Sequence, residues 1–143
     1  MAVLLSTGLE LCFDASRVTP SLVCTIQPEL IYSAGLLRFP RYNVGWRAVS
    51  GPWGAGPLPL GLYTCDNFRD RTEVAMTREN VGFSVDLTPH FKTHRTLLRI
   101  HPDGNKPGTL GCIGITNDVR ECRDALKRLL PNKQSSFTLE VQP

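Results

Sequence analysis

The chain has 143 residues, enough for one domain that buries its own core without metal or disulfide staples. It is 41% hydrophobic and 20% charged, and 16 Lys+Arg against 13 Asp+Glu leave a net charge of +3, too slight a bias to mark a nucleic-acid binder and only mildly suited to an anionic substrate. The five cysteines are odd in number and contain no CxxC pair, which excludes a complete disulfide framework, and no apolar run approaches the length of a membrane span.

In chain order, "MAVLLSTGLELCFD" lacks a basic leader and meets Glu10 early, which is not a signal-peptide pattern. Within it "GLELCFD" alternates, with Leu9, Leu11 and Phe13 on one face, as a strand does. "SLVCTI" (21–26) is rich in β-branched residues. "RFPR" (38–41) and "FRDRTE" (68–73) read as mixed-charge loops. "VSGPWGAGPLPLG" (49–61) is broken throughout by Gly and Pro and cannot be regular. Strands are expected to start at "LYTC" (62–65) and at the alternating "EVAMT" (73–77) and "GFSVDL" (82–87). "TLLRI" (96–100) and "CIGI" (112–115) read as buried strands. "NDVRECRDALKRLL" (117–130) is helical: Val119, Cys122, Leu126, Leu129 and Leu130 share one stripe. Asp118 and Glu121 resemble a capping box, Lys127 and Arg128 suit the C-terminal end, and Pro131 stops it. "SFTLEV" (136–141) closes the chain as a strand. One mainly β (α+β) domain over 1–143 is expected, with a short helix near its C-terminus.

"IHPDGNKPGTLGCIGI" (100–115) carries the chemistry. His101 ends one strand and Cys112 begins another, with a Gly/Pro-rich loop between them. If the strands are neighbours, imidazole and thiol meet. The His then takes the thiol proton and returns it to a leaving amine. Gly108 and Gly111 allow close backbone approach, and the amides of Gly111 and Cys112 can face a substrate oxyanion. Asp103 either orients His101 or is simple turn chemistry.

"LLRIHPDGNKPGTLGCIGI" resembles the signature of the L,D-transpeptidase (YkuD-type) catalytic domain: a strand-terminal His, a Gly-rich loop, then Ser/Thr-x-Gly-Cys-aliphatic. The matching positions are His101, Thr109, Gly111, Cys112 and Ile113. Upstream, "VSGPWGAGPLPLGLYT" is similar to the family's Ser-Gly stretch and Pro-x-Gly-x-Tyr segment through Ser50, Gly51, Pro59, Gly61 and Tyr63. The "GPLPLGLY" form is most like the compact branch of type VI secretion effectors and phage-related proteins. The resemblance covers roughly residues 9–141 by element order.

It implies an L,D-transpeptidase-like β-sandwich and a cysteine enzyme acting on peptidoglycan stem peptides. The catalytic residues would be Cys112 and His101, and no cofactor or metal is needed. Hydrolysis of the Cys112 thioester gives L,D-carboxypeptidase activity, and an amine acceptor gives transpeptidation or D-amino-acid exchange. Ser50, Gly51, Tyr63 and Thr109 would line the substrate site, and Trp53 can lie over a glycan or stem peptide. The implied partners are the wall and, for an effector, a delivery machinery and a cognate immunity protein. Neither nucleic acid nor membrane insertion is expected. Synthesis in the cytoplasm and action in the periplasm of a target cell follow from the same likeness.

The sequence departs from the family at three places. Leu110 stands where many members have His, Gly114 where many have Arg or Asn, and Pro102 follows the His where a polar residue is usual. Without that Arg, Arg99, Lys106 and Arg120 are the candidates for gripping a substrate carboxylate. Two rival readings remain. One is a non-catalytic wall-binding or phage structural protein of the same fold. The other is a metal-dependent peptidase using His90, His94 and His101, although "HFKTH" lacks the Glu and the helical pattern such a site needs.

Overall fold

The structure, a computed structural model, describes residues 27–143. The strand-like stretches at 8–14 and 21–26, with Cys12 and Cys24, lie outside the described residues. Nine strands follow: β1 (Leu30–Ser33), β2 (Leu36–Phe39), β3 (Val44–Val49), β4 (Gly61–Asp70), β5 (Thr77–Arg78), β6 (Val81–Pro89), β7 (Arg99–Pro102), β8 (Ile113–Ile115) and β9 (Ser136–Val141). The helix α1 (Val119–Leu129) lies between β8 and β9, and short 3-10 turns occupy Pro40–Tyr42 and Val74–Met76.

The strands run in the order β4-β9-β1-β2-β3-β8-β7-β6-β5, and β4 pairs back onto β6. Eight strands therefore close into a barrel with β5 hanging at its rim. The fold is mainly β with one helix among the described residues, but the ladder does not divide into the two separate sheets of a sandwich. Closure leaves no exposed edge on the eight-stranded ring. Most neighbours are antiparallel; β9–β1 and β7–β8 are parallel.

Alternation fills the interior. Leu37 and Phe39, Trp46 and Ala48, Tyr63 and Cys65, Val85 and Leu87, and Leu139 and Val141 all point inward and are buried. The apolar stripe of α1 joins this core through Val119, Cys122 and Leu126. The Asp118 capping box does not form. Asp118 adopts a left-handed φ of 47° with no side-chain cap, and Glu121 instead accepts a 3.1 Å bond from the Trp46 indole N–H. That indole is buried in the core and needs a partner, which takes the carboxylate away from the helix terminus.

Several loop readings are corrected. Arg38 and Phe39 belong to β2, and β4 runs on to Asp70 through a bulge between Asp66 and Arg69. "EVAMT" is largely a 3-10 turn, and "TLLRI" becomes strand only at Arg99. β1 to β3 carry no clear alternation signal because their outer faces stay partly apolar, with Leu36 and Val44 exposed.

Candidate active site

β7 and β8 lie side by side and parallel, with Ile100 opposite Ile113, His101 opposite Gly114 and Pro102 opposite Ile115. Ile100, Ile113 and Ile115 are fully buried in the barrel, so His101 and Gly114 point to the outer face. Cys112 immediately precedes β8, and among the described residues no hydrogen bond joins its thiol to the His101 ring.

The connection from Asp103 to Cys112 contains no helix. Parallel strands usually need a longer crossover, but β7 has four residues and β8 three, so the return path is short. The loop recrosses the outer face and packs on Gly114. A Cβ there would sit 2.9 Å from Thr109 Cγ2 and 3.2 Å from Asp103 Cβ. A side chain at 114 would have to push Thr109 or Asp103 aside, so glycine lets the loop seat here. The same cover leaves His101 only 8% exposed.

Thr109 organises the loop. Its hydroxyl accepts from the Gly51 amide (3.1 Å) and the Gly111 amide (3.2 Å) and donates to the Cys112 carbonyl (2.7 Å). Backbone bonds from Thr109 N to Gly51 O (2.9 Å) and from Trp53 N to Thr109 O (3.1 Å) join it to the 49–61 segment. That segment is fixed in turn. Leu58 N donates to Ser50 Oγ (2.8 Å), and the buried Tyr63 hydroxyl donates to Pro59 O (2.6 Å). Ser50, Gly51, Tyr63 and Thr109 thus hold the walls of the site, and the fully buried Tyr63 ring has no surface for a substrate. The Gly111 amide is engaged by Thr109 and is not free for an oxyanion. Trp53 is exposed. Its indole N–H donates to Pro107 O (2.7 Å), and Lys106 Nζ stands 4.2 Å over the ring.

His101 is oriented by backbone. Nδ1 lies 2.7 Å from Pro102 O. A carbonyl only accepts, so Nδ1 carries the proton and Nε2 is left as a base. Asp103 does not fix the ring. Its Oδ2 accepts from Gly108 N (3.3 Å), and its buried Oδ1 has no partner among the described residues. Burial pulls the His101 pKa below its ordinary value. The Pro102 bond and the Asp103 charge oppose this, while Arg99 and Arg71 add to it. Ser84, which follows in register on β6, is buried beneath Arg71, whose Nε donates to Ser84 Oγ (2.8 Å).

The Cys112 thiol donates to Leu97 O (3.5 Å). Burial raises its pKa, and the Arg99 backbone N–H and guanidinium charge oppose that rise. Both shifts favour a neutral thiol beside a neutral imidazole over a resting thiolate–imidazolium pair. Leu97 holds a left-handed φ of 55° with its side chain 72% exposed. For a non-glycine residue this is strained backbone, of a kind that clusters at functional sites. Leu110 is equally exposed two residues before Cys112, and Trp53 is exposed as well.

The structure thus joins Gly51, Trp53, Thr109 and Gly111 to the Cys112 backbone in one hydrogen-bonded cluster with Lys106 over Trp53, while Ser50 bonds Leu58 N and the Arg99 charge reaches both Cys112 and His101. Arg99 is shared with Asp86 (3.5 Å). Arg120 lies on the exposed side of α1, apart from this loop cluster. His90 Nε2 is bonded to Thr64 Oγ1 (2.7 Å), His94 is exposed, and the described residues contain no His/Cys/Asp/Glu group able to hold a metal. Sequence reasoning missed Leu97 and Arg95. Arg95 lies in an irregular stretch with no period or motif to single it out. A cavity of about 990 Å³ between β4 and the end of α1 is lined by Arg69, Asp70, Lys127 and Lys133 among others and by neither Cys112 nor His101. Comparison of the chain with protein-family models, curated proteins and solved structures finds no match.

Two outcomes follow from this geometry. Thr109→Val removes the hydroxyl and orphans two buried amides, which costs about 2–5 kcal/mol in denaturant unfolding, while Thr109→Ser keeps most of the stability. A loss below about 0.5 kcal/mol for valine, the size of an ordinary surface change, would contradict the role given to the hydroxyl. The second outcome concerns pH. With Cys112 raised above the ordinary thiol value of 9.0, its alkylation by iodoacetamide accelerates as pH rises through and beyond that value. Peptide mapping isolates Cys112 from the buried, less acidic Cys65 and Cys122. A rate already at its plateau near pH 6 would reveal a preformed ion pair instead.

Proposed function

We propose that the chain is a cysteine acyl-transfer enzyme of the L,D-transpeptidase type that works on peptidoglycan stem peptides. One observation carries most of the weight. The parallel β7–β8 pairing brings the strand that carries His101 alongside the strand that Cys112 precedes, and His101 Nδ1 is held by the Pro102 carbonyl with Nε2 left as an acceptor. The motif likeness supplies the substrate class, and the barrel is read as a closed variant of the family's sandwich.

In this reading His101 Nε2 takes the Cys112 proton as the sulfur attacks the carbonyl of the diamino acid. The Cys112 amide faces the developing oxyanion. The C–N bond breaks, the leaving D-residue amine takes the proton from His101, and a Cys112 thioester remains. Water then gives L,D-carboxypeptidase trimming, and an amine gives transpeptidation or exchange. The exposed Leu97, Leu110 and Trp53 supply the apolar contact surface. The wall places the site of action in the periplasm of a target bacterium, reached by delivery as a secreted effector or phage-related protein.

Mass spectrometry of tetrapeptide and pentapeptide fragments incubated with the protein, with and without a D-amino acid, tests this reading. Loss of the terminal D-residue or its exchange is expected with the wild type and with Cys122→Ala, and not with Cys112→Ala. Turnover that survives Cys112→Ala would reject the nucleophile.

A further inference from the structure

Arg95 stands against the Cys112 loop at Gly111. A Cβ on Gly111 would lie 2.7 Å from Arg95 Nη2, so the guanidinium is in contact with the residue preceding the nucleophile. Gly111 itself has a φ of +129°, and any side chain there would displace the arginine. Three carbonyls fix the group: Nη1 donates to Ala55 O (3.3 Å), and Nη2 donates to Gly56 O (2.7 Å) and Pro57 O (2.7 Å). A guanidinium has five N–H donors, so two stay uncommitted.

The charge is not neutralised. Arg69 and Arg99 pair with Asp86, Arg71 with Glu73 and Arg123 with Asp124, whereas Arg95 pairs with no carboxylate among the described residues. Its charge reaches the interior far enough to oppose the rise in the Tyr63 pKa, which burial pushes up to about 12. A half-buried cation held rigidly by neutral carbonyls, with donors to spare, is arranged to receive an anion.

We propose that Arg95 binds a free carboxylate of the substrate beside the Cys112 thiol. This rests on the acyl-transfer reading for its biological substrate, a peptide whose scissile carbonyl lies one residue from a free carboxylate. Gly114 leaves no room for a cation at the position two after the nucleophile, and Arg95 approaches the same loop from the 90s segment instead. Arg99, whose charge also reaches the thiol, lies 3.5 Å from Asp86 without hydrogen-bonding it and lacks the carbonyl cradle that fixes Arg95.

The test uses two alkylating reagents that differ in charge, iodoacetate and iodoacetamide, on the full chain, with Cys112 modification read by peptide mapping. Wild type should favour iodoacetate over iodoacetamide by about tenfold more than free cysteine does, the scale of one charge-assisted hydrogen bond. Arg95→Gln should lose that preference with its iodoacetamide rate within about twofold of wild type, and Arg95→Lys should keep much of it, because charge survives without the planar fork. An unchanged preference in Arg95→Gln overturns the proposal. If Arg95→Gln disturbs the loop and both rates shift together, Arg95→Lys decides: a retained preference supports the site, and a lost preference at an unchanged iodoacetamide rate overturns it. On peptides, replacing the terminal carboxylate by a carboxamide should raise KM about tenfold for wild type and leave Arg95→Gln indifferent. A protein that turns over no stem peptide yet keeps the Arg95-dependent iodoacetate preference would refute the acyl-transfer substrate while leaving the carboxylate site standing.

Discussion

The parallel pairing of β7 with β8 is the constraint on which the site depends. It sets Ile100, Ile113 and Ile115 into the barrel and so turns His101 and Gly114 outward. A slip of one residue would exchange the two faces, burying the imidazole in an apolar core and exposing isoleucines. The loss of three buried aliphatic side chains makes that slip costly, on the order of several kcal/mol. Core packing therefore fixes the register, and the register in turn sets His101 on the outer face beside the loop that ends at Cys112.

The loop is the second layer of the same device. Because β7 and β8 are short, residues 103–112 return across the outer face without a helix. They bring their own polar groups with them, and those groups must be satisfied in a dry setting. Thr109 does this for two amides and a carbonyl, Gly114 leaves the room, and the 49–61 segment supplies the opposing wall. Arg95 joins that wall to the 90s loop. Burial then decides the electrostatics. It disfavours both the charged imidazole and the thiolate.

Much of this was legible in the sequence, for reasons that differ by element. The α1 stripe was clear because Val119, Cys122 and Leu126 recur at helical spacing and all enter the core. β8 was clear because Ile113 and Ile115 form a short buried apolar run after a Gly/Pro-rich loop, whereas only the end of "TLLRI" became β7. β1 to β3 were missed because their alternation is masked by exposed Leu36 and Val44 and by the charged Arg38 and Arg47 between them. Barrel closure is a pairing of β4 with β6, and strand pairing leaves no local mark. At the site, residue types pointed to Cys112 and His101, but the roles of their neighbours depend on contacts. Tyr63, Ser50 and Thr109 turn out to hold the loops by hydrogen bonds to distant backbone, and the imidazole is oriented by the Pro102 carbonyl, a group every residue possesses. Arg95 had no signature, since its partners are three carbonyls about forty positions away.

The most direct measurement is the intact mass of the protein quenched in acid during incubation with a stem tetrapeptide. The account predicts an adduct equal to the peptide less its terminal D-residue, mapped to Cys112, slower to form in His101→Ala and absent in Cys112→Ala. Turnover of the peptide with no adduct at any time point, or an adduct that maps to another residue, would contradict it.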